Sequence, residues 1–539
     1  FFLWSFNLSS LLLIKTQPMK SLLFLFLFLS CLSLQAQYSF QTLQGNNVAA
    51  TINNSGSQFT SANETAGYLV PQNANAGLIF SAQFWYAGVD EEGTLRAALG
   101  GNFNESDVFI GPYSDDYSDL SYSQEFAQSI YSFCSSEIQY FVKWWECQNG
   151  ILTEGCDDLE NPTIDFLERI YSYPAHGNVA IGQDYWLLPF WDRDGDGVYN
   201  PDNGDFPIIK GCCGTYLIQN DTRNLHSSGA LTIGMQMVYH FYQYSNGGLL
   251  DDFTFIDVQA VNKGEYNFQE FRFGLMVDGD IGFPYDDFMG SDPVRQMAFF
   301  YNADNFDEDD EDIELYGFGD DPPAIGIVAL KTELNSIISP STSFNSVMSK
   351  WMNLGGLQES GQPFLDPDDV ATSFMYSGAV DNSNEWSELN SGNVSGDRRL
   401  LMSSIINNFQ SGDTIAQTYA IIYSRTGNNV QNASSLGSIA DAVKEFYLEG
   451  EFYNCEPLSA GTHVNEEILF EVFPNPSSGI IQISSQTKMN EFSIRDLNGR
   501  EVLAASVDQL NQVEIDLSNI KKGVYTLTIS SNAGTTTRR

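Results

Sequence analysis

The sequence predicts a mainly β protein: a β-sandwich body with a few helices, followed by a small second β-sandwich. Three observations predict it. Aromatic and β-branched runs bounded by turn residues recur along the chain, as in MQMVYHFYQYS (235–245), FTFIDVQAVNKG (253–264), FQEFRFGLMVD (268–278) and DTIAQTYAIIYSR (413–425). The 539 residues are 42% hydrophobic and 14% aromatic, enough for packed cores despite a formal charge of −45. Near the C-terminus, the pairs Ile481/Ile483, Phe492/Ile494, Val513/Ile515 and Leu527/Ile529 alternate with polar residues, so each strand buries one face.

Taken in order, Met19-Lys20 starts a positive region, Ser21 to Leu34 is apolar, and Ala36 precedes a cleavage point at Gln37. This is the pattern of a secretory signal peptide, with an apolar core too short for a membrane span. Residues 1–18 lie upstream of that better start and are expected to be upstream translation. A second reading makes Cys31 a lipidated cysteine. Residues 37–190 read as a mixed β/α region. It holds short β-like stretches up to about Gly101, then a helix with a capping-box pattern at Ser136-Glu137-Ile138-Gln139 and one face of Ile138, Phe141 and Trp145. Asn161-Pro162 is expected to start a short helix ending near Tyr171. Trp144 and Trp145 read as core residues or, alternatively, as a platform for a sugar. Residues 191–456 hold the strongest strand runs and a helix expected over Leu436 to Tyr447, capped by Ser434 or Ser435. A polar linker is expected at 457–465, and a compact unit at 466–539 in which Asn498-Gly499 makes a hairpin turn.

Beyond the signal segment, six cysteines remain: Cys134, Cys147, Cys156, Cys212, Cys213 and Cys455. An even number in an exported chain favours disulfides. Cys147 and Cys156 are close enough to close a small loop. Cys212 and Cys213 are expected to pair outward, because a bridge between neighbours strains the peptide. No CxxC spacing or histidine cluster supports zinc.

The order VFPNPSSG (472–479), IRDLNGREV (494–502) and IDLSNIKKGVYTLTI (515–529) resembles the C-terminal sorting domain of type IX secretion cargo, over about 466–539. The resemblance implies an Ig-like β-sandwich, recognition by the type IX secretion machinery, and a location outside the cell or on its outer surface, anchored to surface lipopolysaccharide or released. The family normally ends in one more strand carrying lysine and apolar residues, where this sequence reads GTTTRR; the coding sequence is therefore expected to extend further. The preceding body is similar to uncharacterised secreted proteins that carry the same domain, through YPAHGN (173–178), DGDGVYNPDNGDFP (194–207), the stretch from VDGDIG to DDFMGSD (277–292), DDPPAIG (320–326) and GDRRLLMS (396–403). That likeness implies no activity.

Two acidic constellations carry candidate chemistry. In WDRDGDGVYNPDNGDFP (191–207), Asp192, Asp194, Asp196 and Gly197 match the opening of a calcium loop of EF-hand type. Alternate positions turn three carboxylates toward one centre. Val198 would add a backbone carbonyl and Asn200 a direct or water-mediated ligand. Asn203 stands at the twelfth position, where an EF-hand has Glu, so Asp202 or Asp205 is expected to substitute. With no helices flanking it, the loop reads as a clasp rather than a sensor. The second constellation is Asp278, Asp280, Asp286, Asp287 and Asp292, a second metal site or the carboxylate pair of a glycoside hydrolase. The run DNFDEDDEDIE (304–314) reads as a solvated loop.

The acid balance and the lack of a basic patch argue against nucleic acid as a partner. No HExxH, GxSxG, P-loop or GxGxxG pattern is present. His176 and His240 are lone histidines with structural roles expected, and His226 lies near Asp221 without a nucleophile to serve. The reading is therefore an exported, calcium-stabilised, non-catalytic protein with a role in adhesion, glycan contact or surface structure. The alternative is a secreted polysaccharide hydrolase using carboxylates of the second constellation.

Overall fold

The computed structural model describes residues 39–101, 105–115, 126, 129–157, 159–222, 226–245, 247–310, 315–340, 346–449 and 455 of the body. Toward the C-terminus it describes 470–473, 480–496, 501–517, 520, 525–531 and 534–538. The signal segment, the linker at 457–465, the PNP turn and Asn498-Gly499 lie outside these residues.

The long runs form strands as their alternation requires. In Ile79–Asp90, Phe84 and Tyr86 join one core while Trp85 and Ala87 join another on the opposite face. This strand is central to a nine-stranded antiparallel sheet, in the order Phe40–Leu43, Ala49–Asn53, Tyr68–Leu69, Ile79–Asp90, Phe268–Gly279, Arg398–Phe409, Ser336–Ile338. Ser57–Gln58 and Leu95–Leu99 also pair with Ile79–Asp90. A second antiparallel sheet, also nine-stranded, runs Asp287–Asp292, Met297–Asn302, Ala324–Ala329, Thr414–Ser424, Thr254–Asn262, Met235–Gln243, Cys213–Asn220. Both Phe109–Ile110 and Ile130–Cys134 pair with its last strand.

The two sheets face each other across one core, in which Phe84 of the first stacks on Tyr239 of the second at 4.7 Å. Helices cover the outer faces. Val347–Leu354 seats Trp351 and Leu354 on the first sheet, where Gly274 leaves the room: a Cβ there would stand 2.9 Å from Leu354 and 2.7 Å from the Met402 carbonyl. Asn429–Glu449 packs Leu436, Ala440 and Val443 against Phe255, Val328 and Ile422 of the second sheet. Ser135–Gln148 and Ile164–Tyr171 pack Ile138, Phe141 and Phe166 against Tyr131, Tyr216 and Ile218. Covering both faces explains why Cys213–Asn220 is buried along its whole length.

Several local expectations shift. The helix Ser135–Gln148 is capped by Cys134, whose N–H donates to Glu137 Oε2 at 2.9 Å, and not by Ser136. Thr163, rather than Asn161, caps Ile164–Tyr171. The helix Asn429–Glu449 starts well before Leu436. Asn428 and Gln431 exchange reciprocal side-chain to backbone hydrogen bonds at its start, a capping box built on Asn and Gln and not on the expected Ser434 or Ser435. Ser435 instead lies within the helix, bonding Ser424 Oγ. The segments 37–190 and 191–456 interleave: strands from both lie in each of the two large sheets, because only non-local partners complete them.

The six cysteines after the signal segment form Cys134–Cys213, Cys147–Cys156 and Cys212–Cys455. The neighbours Cys212 and Cys213 thus bond different partners, as the strain of a bridge between neighbours requires.

The C-terminal unit is a five-stranded antiparallel arrangement of Phe470–Phe473, Ile480–Asp496, Glu501–Asp516, Tyr525–Ser531 and Gly534–Arg538. Its core is Ile481, Ile483, Met489, Phe492, Ile494, Val507, Ile515, Leu527 and Ile529, which contains most of the residues picked out by alternation.

Candidate functional site

The loop after Phe190–Trp191 brings Asp192, Asp194 and Asp205 together, with one oxygen of each within 4.8 Å of the others. Each carboxylate is set by backbone donors. Asp192 accepts from Gly195 N and Gly197 N, both at 2.8 Å. Gly195 and Gly197 have φ of 73° and 76°, the left-handed conformation that this turn demands and that glycine adopts without strain. Asp194 accepts from Asn203 Nδ2 at 2.7 Å and from Asp196 N at 3.3 Å. Asp205 is fully buried and joins the two arms of the loop, accepting from Arg193 N at 2.8 Å and Asn200 N at 2.9 Å.

Asp205 is therefore the third carboxylate of the cluster, while Asn203, at the twelfth position, donates to Asp194. Burial raises the carboxyl of Asp205, the two backbone N–H bonds oppose this, and the nearby charges of Asp192 and Asp194 raise it further. The one cationic side chain within the loop, Arg193, pairs with Glu146 at 3.0 Å and lies over Trp145.

The other loop candidates point elsewhere. Asp196 accepts from Val198 N at 2.7 Å, and Asn200 Oδ1 accepts from Asp202 N at 3.0 Å to start the short helix Pro201–Asn203. Asp202 takes the hydroxyl of Tyr171, so it braces the loop against the helix Ile164–Tyr171. The Val198 side chain is exposed.

The surrounding aromatics explain the YPAHGN and tryptophan signals. His176 Nε2 accepts from Tyr199 N, Nδ1 faces the Tyr185 carbonyl at 3.2 Å, and the ring stacks on Tyr185 with centroids 4.3 Å apart. Burial depresses its basicity. Trp145 donates to the Asp202 carbonyl at 2.9 Å and Trp144 to Asn161 at 3.0 Å, so both indole N–H groups brace the fold.

The second constellation divides. Asp278 and Asp280 come together with Asp397, which precedes Arg398–Phe409 and was absent from the sequence-based set. Asp278 and Arg399 are cross-strand partners, and Arg399 Nε meets Asp278 Oδ2 at 3.0 Å while its Nη2 meets Asp397 Oδ2 at 3.0 Å. Burial raises Asp278 to about 6, against the pull of Arg399. Burial, then Asp278 and Asp397, raise Asp280 to about 8. The signal for Asp397 was the GDRRLLMS motif: an acid followed by two arginines at a strand start.

Asp286, Asp287 and Asp292 separate from that group. Asp286 accepts from Asn302 at 2.7 Å and, chiefly through burial, is raised to about 8. Asp287 is fully buried and accepts from Ile281 N at 3.0 Å. Asp292 pairs with Arg295 at 2.8 Å, at the opposite end of its strand. Nor is the run from Asp304 wholly solvated. Asp307 is buried, accepts from Phe283 N at 2.9 Å and from Phe318 N at 2.5 Å, and burial raises it to about 7.

His226 and His240 are structural. Both ring nitrogens of His226 lie 2.9 Å from backbone carbonyls, those of Ala97 and Asp221. His240 stacks on Tyr216 at 4.0 Å with Nε2 buried and unpartnered, and burial lowers it to about 3.

Residues 471–539 match the family model of the secretion system C-terminal sorting domain, the type IX signal. A domain of this kind marks the chain for export, to the extracellular space or the cell surface. No curated protein matches the sequence. Similar solved structures include a polysaccharide lyase, 8% identical over 56% of this chain and 33% of that one, with a TM-score of 0.18. The heparan sulfate lyase HepC from Pedobacter heparinus is 7% identical over 87% of this chain and 41% of that one, with a TM-score of 0.20. The chain thus spans less than half the length of either lyase, and at such scores neither informs its chemistry.

Proposed function

We propose that this chain is a non-catalytic surface or released protein, delivered by its type IX sorting domain and held in shape by calcium at the Asp192–Asp194–Asp205 loop. One observation carries the reading: a DxDxDG loop gathers three carboxylates, with the buried Asp205 completing the set from beyond the twelfth position. Converging carboxylates repel one another, and an oxygen-seeking divalent cation removes that cost. The donor set is all oxygen, which suits calcium and not zinc. The ion's role is to lock the loop onto the helix Ile164–Tyr171 and onto the His176 turn, keeping an acidic surface folded outside the cell. Its partners there are extracellular glycan or surface lipopolysaccharide, met through binding rather than turnover.

Melting of the full chain with calcium and with chelator tests the reading. Calcium raises the midpoint more in the wild type than in Asp194→Ala, and equal rises would remove the loop's part in it. An unchanged midpoint in the wild type would remove the calcium role. The alternative, a carboxylate-dependent polysaccharide hydrolase, is favoured by one feature: an open cleft of about 480 Å³ lined by Glu388, Asp397, Arg398 and Tyr376. Glu388, however, is buried and already bonded to Arg398 and to Met289 N. Polysaccharide turnover that dies with Asp397→Asn would reverse the order of the two readings.

A further inference from the structure

We propose that Asp278, Asp280 and Asp397 hold a second divalent cation, calcium by their chemistry, where two neighbouring strands of the first sheet end and begin. The three carboxylates each place an oxygen within 4.8 Å of the others. They come from the end of Phe268–Gly279, the residue after it, and the residue before Arg398–Phe409. Antiparallel pairing of these strands fixes their approach, since Asp278 faces Arg399 and Gly279 faces Arg398 across the ladder.

A separate observation points to a missing ligand. Asp278 is 7% exposed; Oδ2 takes Arg399, but Oδ1 is buried and has no hydrogen-bond partner. Asp397 shows the same division, with Oδ2 on Arg399 and a buried Oδ1 without a donor. Arg399 thus satisfies one oxygen of each carboxylate and leaves the other without a donor. Charge leads to the same place: three carboxylates against one guanidinium leave a deficit that one divalent ion balances. Buried oxygens left without a donor are costly, whereas coordination satisfies several at once. An all-carboxylate set without histidine or cysteine selects a hard cation, and calcium tolerates the irregular geometry and completes its shell with water. Asp397 also lines the cleft beside Tyr376 and Asn393, which supplies an entry path for the ion.

This site uses different residues from the Asp192 loop, so the two are separable. Equilibrium dialysis of the full chain against radioactive calcium at neutral pH counts bound ions in the wild type, Asp194→Asn and Asp280→Asn/Asp397→Asn. The double variant, which keeps shape and removes charge, is expected to bind one ion fewer than the wild type and to melt as a folded protein. Asp280→Asn alone is expected to weaken that ion by at least tenfold, and serves if the double variant does not fold. Equal counts in the wild type and in the Asp280→Asn and Asp280→Asn/Asp397→Asn variants, with one ion fewer in Asp194→Asn, would overturn the second site while leaving the loop standing. A wild-type count that drops only in the double or Asp280→Asn variant would uphold the second site and remove the loop.

Discussion

His176 Nε2 accepts the backbone N–H of Tyr199 at 2.8 Å, which fastens the PAHGN turn to the far arm of the acidic loop. A lone histidine in a sequence without catalytic partners is thereby given a mechanical task. Only the neutral ring accepts this bond, and burial favours the neutral ring.

Acid is therefore expected to loosen the clasp through His176. Its folded-state basicity is depressed, so the stability it contributes is present above the unfolded value of about 6.5 and lost as pH falls below it. The test is the melting midpoint of wild type and His176→Gln across this range. A difference between them that stays constant with pH would refute the role.

Asp205 and Asp196 are expected to behave differently, although the sequence pattern ranks Asp196 higher. Asp205→Ala strips acceptors from Arg193 N and Asn200 N in a buried place, at a cost of about 1–3 kcal/mol, and is expected to lower the calcium response where Asp196→Ala does not. Asp196→Ala removes a bond to Val198 N on an exposed turn and is expected to cost less than about 1 kcal/mol. Chemical denaturation with and without calcium ranks the two.

His240 sets a second acid dependence, of the same sign. Its pKa is lowered to about 3 by burial, so between about 6.5 and about 3 the unfolded chain takes up a proton that the folded chain refuses. Stability then falls by up to about 1.4 kcal/mol per pH unit from this residue. The raised carboxyl of Asp286 acts in the opposite sense, since its protonated form favours the folded state as pH falls. The readout is consequently the difference between wild type and His240→Phe, which keeps the stack on Tyr216; a flat difference would contradict it.

Loss of Cys134–Cys213, which closes a sequence separation of 79, is expected to cost more than loss of Cys147–Cys156, with a separation of 9. Chain entropy gives about 4–5 kcal/mol for the longer loop and about 2–3 for the shorter. Denaturation of the paired Cys→Ala variants measures both, and the reverse order would show that local strain dominates over loop closure.

The sequence by itself determined whatever is written in short-range periodicity. Alternation at Ile481/Ile483 and Leu527/Ile529, the aromatic strand 235–243, the separate pairing of Cys212 and Cys213, the DxDxDG turn and the sorting-domain motifs are all decided by neighbours within a few residues. What tertiary structure alone decided was which distant residues meet. Alternation identifies a strand's faces but not its neighbours, so nothing local announces that residues 40–99 complete a sheet with Phe268–Gly279 and Arg398–Phe409. For the same reason the sequence alone groups Asp278 and Asp280 with Asp286, Asp287 and Asp292, their neighbours along the chain. Strand pairing instead turned them toward Asp397 and Arg399, and burial, a property of the assembled sheets, raised their carboxyls.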